Sequence, residues 1–347
     1  MKLGRIARPG PDGPVPRLVA VDPDGGYVVD LVTAERLRLR RAGADDDAAA
    51  RLAAAMFPSS ATQAIGGGLA FRDALERAAA TEEDEARLRL DDVRLLAPAD
   101  PPAMLDASAF EQHLVNAHAR GKREVPDYFY EAPAYYKMST TTILGPDEEV
   151  RWPGGVGFMD YELEFAIVIG REGSDLRPEE AADHVFGLTI MNDFSARDLQ
   201  AKEMTSGFGP AKGKDFGTAL GPWITTLDEL DLADLPMIAR VNGETWSTGS
   251  TSTLTWSIDE LVAFVSSGER IVPGEVIGSG TVGLGAGLEL FRKLQPGDEV
   301  ELEIGGIGVL RNRIGQPGER RWTPETKERR AQPTLPTREG AADGSRG

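Results

Sequence analysis

The chain has 347 residues, 41% of them apolar and 27% charged, and a formal net charge of -18. So acidic a chain repels nucleic acid and anionic membrane surfaces, and an anionic ligand would need locally placed positive charge. Cysteine is absent, which excludes disulfide and thiolate chemistry, and no apolar run approaches the length of a membrane span.

The first ten residues contain no apolar stretch of the signal-peptide kind, so the cytoplasm is the expected compartment. Residues 1–40 read as short strands broken by Pro and Gly turns, such as Pro23–Asp24–Gly25–Gly26. Residues 44–88 are rich in Ala, Arg, Glu and Asp and read as helical, interrupted at Gly66–Gly67–Gly68. The stretch Asp91–Asp92–Val93–Arg94–Leu95–Leu96–Ala97–Pro98 reads as a strand and then a boundary, which sets a small N-terminal α+β domain at 1–98. The rest divides into a β-rich domain at 99–315 and an irregular or disordered tail at 316–347, rich in Pro, Gly and charge. Capping-box patterns at Ser108–Ala109–Phe110–Glu111 and Ser257–Ile258–Asp259–Glu260 each predict a helix start, with Gly121 ending the first helix. Val300–Glu301–Leu302–Glu303–Ile304 alternates as a half-exposed strand. The glycines at 278, 280, 283, 285 and 287 imply turns and close backbone approach, without the Lys-Ser/Thr pair of a phosphate loop.

Three segments carry carboxylates in unusual settings. Asp160–Tyr161–Glu162–Leu163–Glu164–Phe165–Ala166–Ile167–Val168–Ile169–Gly170 reads as a strand that becomes wholly apolar. Glu162 and Glu164 then point the same way, about 7 Å apart. Two desolvated carboxylates side by side call for positive charge between them, although an edge strand with its acidic face in water gives the same pattern. Asp193 lies where a buried strand runs into a helix, and Asp106 at another helix entry. Four carboxylates without Cys or a His pair favour Mg²⁺, Ca²⁺ or Mn²⁺ over Zn²⁺.

Five ordered motifs then make the chain resemble the fumarylacetoacetate hydrolase family over roughly residues 100–312. They are Asp106 with His113 seven residues later, Asp160–Tyr161–Glu162–Leu163–Glu164, Met191–Asn192–Asp193–Phe194–Ser195–Ala196–Arg197–Asp198–Leu199–Gln200, Gly213–Lys214–Asp215–Phe216–Gly217–Thr218 and Gly278–Ser279–Gly280–Thr281. The resemblance implies an α+β, β-rich fold, a mixed β-sandwich roll, in a homodimer that binds a divalent cation. It makes Asp106, Glu162, Glu164 and Asp193 the metal ligands and His113 the general base. Gln200, Lys214 and Thr281 would line the substrate site. Lys214 and Thr218 stand where a second cation or a charge-balancing lysine sits.

His titrates near neutrality and suits a base without much tuning. His118 and His184 read as structural. Small family members place a glutamate three residues after the base; here that residue is Asn116, so Glu289 is the candidate orienting carboxylate, at the position used by the larger hydrolases. Tyr136, Lys137 and Lys122 are candidate substrate contacts, on a segment around 110–138 that could close as a lid. Ser108 and Met204 replace two tyrosines of the fumarylacetoacetate enzyme itself. The expected activity is metal-dependent hydrolysis of a C–C bond in a 1,3-diketo acid of the fumarylacetoacetate or acylpyruvate type, in aromatic-compound catabolism. The expected partner is a small keto acid, with no nucleic acid and no membrane. Isomerase, hydratase or decarboxylase chemistry on the same scaffold is the alternative, and a non-catalytic Ca²⁺-binding protein a remoter one.

Overall fold

The computed structural model describes residues 1–10 and 13–328. A twelve-stranded mixed sheet dominates it, and a five-stranded sheet built from Glu149–Trp152, Pro236–Val241, Glu244–Ser250, Glu299–Ile304 and Gly308–Pro317 packs against one face. The centre of the large sheet is the run Thr218–Thr226, Val185–Asn192, Leu163–Ile169, Val276–Gly278 and Met104–Ala107, in that spatial order.

The strand Leu163–Ile169 is buried at every position, so its two faces serve two cores. Leu163, Phe165, Ile167 and Ile169 meet Met237, Ala239, Val300, Leu302 and Ile304 of the second sheet. Ala166 and Val168 face the other way, into a core with Phe57, Ile65, Phe71 and Leu75 from the N-terminal helices. Burial of a side chain such as Phe165 contributes about 2–3 kcal/mol. Among the described residues no helix is long and apolar enough to cross a membrane.

Residues 1–98 add five short strands to this same sheet, joined where Lys2–Arg8 pairs antiparallel with Thr218–Thr226. Within the segment expected as strands alone, Leu31–Arg41 forms a helix. Asp30 ends the preceding strand and accepts a hydrogen bond from Thr33 N at 3.1 Å, so one side chain switches the chain from extended to helical. The expected helical stretch resolves into Asp46–Met56, Ala61–Ile65 and Gly68–Ala79, broken at the triple glycine.

The two predicted capping boxes fare differently. At Ser257 both reciprocal bonds form and start the helix Ile258–Ser266. At Ser108 the box does not form. Ser108 N donates to Ala134 O, Phe110 takes the cap position, and Glu111 N donates instead to Thr255 Oγ1 at 3.3 Å. The helix Glu111–Arg120 therefore starts two residues later than a Ser108 cap would set it, and ends as expected with Gly121 after it. The last strand reaches Pro317, two residues into the expected tail; residues 318–328 carry no helix or strand, and 329–347 lie outside the described residues.

Gly187 lies at a close approach of two central strands. A Cβ there would sit 2.3 Å from Thr225 O, a backbone atom that cannot turn aside. Gly187→Ala is expected to lower the unfolding free energy by about 1–3 kcal/mol, read from urea denaturation. An unchanged midpoint would show that the two strands can separate locally.

Candidate active site

The register of the large sheet assembles the acidic residues. Met104 and Asp106, Glu164 and Ala166, and Met191 with Asp193 beyond its strand share the face turned toward the N-terminal helices. Along this face the side chains change from apolar to acidic. One oxygen from each of Asp106, Glu162, Glu164 and Asp193 lies within 4.8 Å of the others, and all four residues are buried. Between the strands of Asp106 and Glu164 runs Val276–Gly278, with Gly278 paired to both Asp106 and Ala166. A Cβ on Gly278 would lie 2.6 Å from Asp106 Oδ1 and 2.2 Å from Met191 Cε. The missing side chain is what lets the carboxylates converge.

Two cations offset part of this charge. Lys214 Nζ donates to Glu162 Oε2 and, at 2.5 Å, to Asp193 Oδ2. Arg197, at the start of the helix Arg197–Met204, donates Nη1 to Glu162 Oε1 at 2.7 Å and Nε to Asp160 Oδ2 at 2.8 Å. Asp160 is buried as well, so five carboxylates face two cations. The imbalance shows in the protonation equilibria. Burial, then the neighbouring Asp193, pushes Asp106 up to about 7. Burial and Asp106 push Glu164 well above the carboxylate range, and burial also raises Asp193 against the pull of Lys214. Glu162 goes the other way, because Arg197 and Lys214 outweigh its burial.

Glu164 Oε2 and Asp193 Oδ1 are buried without a hydrogen-bond partner. Unpaired buried carboxylate oxygens are costly, and an all-oxygen donor set suits a hard divalent cation. The residues therefore fit a metal, which Asp106, Glu162, Glu164 and Asp193 could hold.

Beside this cluster stands a histidine–glutamate pair. His113 is the third residue of its helix. Its Nδ1 lies 2.7 Å from Glu289 Oε1, and its Nε2 lies 4.0 Å from Glu162 Oε1. Glu289 is buried in the turn after Gly287. Its Oε2 accepts from Asn116 Nδ2 at 2.7 Å and Leu284 N at 2.8 Å. His118 and His184 bond backbone carbonyls, Leu114 O at 2.9 Å and Arg171 O at 3.1 Å.

The remaining expected site residues divide. The Tyr136 hydroxyl donates to Asp193 Oδ2, and Thr281 Oγ1 donates to Glu164 Oε1 at 3.0 Å. Gln200 Oε1 accepts from Arg197 Nη1 at 3.1 Å. Lys137, expected at the substrate, lies elsewhere. In the strand Tyr135–Lys137 it shares the face opposite Tyr136, and both Tyr135 and Lys137 bond Glu269. Lys122 is exposed in the turn after the helix and has no ion pair or hydrogen bond to these groups among the described residues. Lys214 occupies the charge-balancing place. Thr218 is buried at the start of its strand, its N–H donating to Thr142 O at 3.2 Å, and among the described residues its hydroxyl makes no bond to the cluster.

Two residues were missed. Arg197 and Asp160 both lie inside the quoted motifs, yet neither is read as functional from the sequence. Asp160 accepts Gly287 N at 2.8 Å and Leu288 N at 2.9 Å as well as Arg197, and so holds the turn that carries Glu289. An arginine opening a helix beside an apolar run was the available signal.

Residues 103–315 match the family model described as fumarylacetoacetate (FAA) hydrolase, C-terminal. The chain belongs to the fumarylacetoacetate hydrolase family. An oxaloacetate tautomerase of Bacillus subtilis is 33% identical over 232 residues, 65% of this chain and 74% of that protein. A human mitochondrial oxaloacetate tautomerase is 36% identical over 189 residues, 52% of this chain and 59% of that protein. Among solved structures, a 5-carboxymethyl-2-hydroxymuconate delta-isomerase from Mycobacterium smegmatis is 30% identical with a TM-score of 0.63, covering 92% of this chain and all (100%) of that one. A fumarylacetoacetate hydrolase from Exiguobacterium antarcticum is 28% identical with a TM-score of 0.67, covering 91% and 99%.

Glu164→Gln keeps the shape of the cluster and removes the carboxylate that a bound cation would draw into its ionised form. It is expected to weaken Mg²⁺ or Mn²⁺ binding by at least about tenfold in titration calorimetry. Unchanged affinity would move the cation away from these four residues.

Proposed function

We propose that this family member hydrolyses a C–C bond in a 1,3-diketo acid of the acylpyruvate or fumarylacetoacetate type, with a divalent cation bound by Asp106, Glu162, Glu164 and Asp193. The observation that carries the reading is the pair of half-buried His113 and buried Glu289 beside the carboxylate cluster. With its proton on Nδ1 and donated to Glu289, His113 keeps the lone pair of Nε2 toward the cluster, where a water and a chelating keto acid would meet. Nε2 takes a proton from water, and the water oxygen bonds to the distal carbonyl carbon. Glu289 stabilises the imidazolium that results, as the third member of a nucleophile–base–orienter series.

Collapse of the tetrahedral adduct breaks the C–C bond. The electron pair leaves on the keto-acid fragment as an enolate, which takes up the proton that His113 Nε2 took from water, so two carboxylic acids are released. The cation, when bound, supplies Lewis-acid polarisation of the keto-acid oxygens. Lys214 holds Glu162 and Asp193 against their mutual repulsion and adds positive potential where negative charge develops. The Tyr136 hydroxyl donates to the same Asp193 oxygen as Lys214 and helps to fix that carboxylate.

A second reading is keto–enol or double-bond isomerisation of a 2-oxo acid, favoured by the tautomerase and isomerase relatives. It uses the same base to move a proton between carbon and oxygen, without water attack.

The two readings part on product mass. A panel of acylpyruvates, fumarylacetoacetate and oxaloacetate would be followed by loss of enol absorbance and by mass spectrometry, with Mg²⁺ and with EDTA. Metal-dependent release of two acids supports hydrolysis; loss of the enol band at constant mass supports the isomerase. In the reaction that is found, His113→Ala is expected to lower kcat by about 10²–10⁴-fold with cation affinity nearly unchanged. Loss of both together would remove His113 from the base role.

A further inference from the structure

A hydrogen-bonded chain runs along the outer side of the helix Glu111–Arg120. Gln112 Nε2 donates to Asn116 Oδ1 at 2.8 Å, and Asn116 Nδ2 donates to Glu289 Oε2 at 2.7 Å. Gln112 and Asn116 are four residues apart and His113 and Asn116 three, so helical geometry brings all three to the same turn of the surface. Gly283 makes room for this chain: a Cβ there would lie 2.8 Å from both Cβ and Cγ of Gln112.

The chain has a direction set by chemistry. Ionised Glu289 only accepts, so it requires the NH₂ side of Asn116. That leaves Asn116 Oδ1 facing outward, and the exposed Gln112 amide supplies the donor it needs. With Asn116 Nδ2 and Leu284 N both on Oε2, the Glu289 carboxylate cannot rotate, and Oε1 stays directed at His113 Nδ1.

We infer that Asn116 is a positioning residue: through Glu289 it selects the His113 tautomer with the proton on Nδ1, and the Gln112 amide secures the orientation in which Asn116 does so. The inference rests on the His113–Glu289 pair acting as the base of the proposed reaction. Asn116 occupies the place where a base-paired glutamate would compete for the same imidazole. Here the position has become support for a partner carboxylate delivered from another segment.

The test uses the full chain labelled with ¹⁵N-histidine and saturated with Mg²⁺. Its three histidines give three sets of imidazole resonances, with His113 assigned by its loss in His113→Ala. The wild type is expected to show a single neutral His113 tautomer, protonated on Nδ1. Asn116→Ala is expected to give a mixture of tautomers and to lower kcat about tenfold with KM within about twofold. Gln112→Glu changes only an exposed amide to an isosteric, acceptor-only carboxylate that competes with Glu289 for the Asn116 NH₂. It is expected to shift the tautomer ratio in the same direction and to lower kcat several-fold. An unchanged His113 spectrum in Asn116→Ala and Gln112→Glu overturns the inference, whatever kcat does, because a merely structural role would leave the tautomer alone. The dyad reading fails separately, if Glu289→Gln keeps wild-type turnover.

Discussion

The structure depends on burying several like charges at one end of an apolar core. A lone carboxylate moved out of water costs several kcal/mol or takes up a proton. Asp106, Glu162, Glu164, Asp193 and Asp160 are all buried within one small volume. Lys214 and Arg197 meet that cost only in part, and both are themselves buried, so each cation is committed to carboxylates rather than to solvent. What remains is a site with a strong negative potential and unpaired oxygens on Glu164 and Asp193. A divalent cation would complete it by pairing those oxygens.

The large sheet is the ruler that makes this arrangement reproducible. On the strand Leu163–Ile169 the odd residues enter the core between the two sheets, and the even ones turn to the N-terminal helices. Glu164 belongs to the same side as Ala166 and Val168. A slip of one residue would drive the carboxylate into the inter-sheet core against Val300 and Leu302, so apolar packing and site assembly enforce the same register. Gly278 adds a second condition, since any side chain there would separate Asp106 from its partners.

Features that depend on neighbours in the chain were legible from the sequence. The parity of Glu162 and Glu164, the Ser257 capping box and the place of His113 in the first turn of its helix all follow from local spacing. Features decided by distant contacts were not. Ser108 has the cap pattern, but its backbone is engaged by Ala134 and the helix end is served by Thr255 instead. Lys137 sits beside Tyr136 in sequence, and the alternation of an extended strand sends it to Glu269 on the other face. Asp160 has no local signature and Arg197 only its place at a helix start, because each acts by joining segments that are far apart in sequence. Glu289 was reached through the family resemblance; nothing in its own neighbourhood announces a buried acceptor of three hydrogen bonds.

The site has two working parts with different tolerances. The carboxylate cluster is built on central strands and is rigid by construction. The His113–Glu289 pair is carried by a helix and a glycine-rich turn, the turn held to the central strand by Leu163 N on Gly285 O and Val282 N on Leu163 O. Asp160 and Arg197 join them: Arg197 grips Glu162 in the cluster, and Asp160 grips both Arg197 and the backbone N–H groups of Gly287 and Leu288, just before Glu289. Relatives named as hydrolases, tautomerases and isomerases share the fold, as expected if a common cation-binding face activates a keto acid while the attached turn and helix decide where the proton goes. Divergence of reaction then needs only changes at positions such as 113, 116 and 289, with the ion-pair bridge keeping whatever base is present in register with the cation.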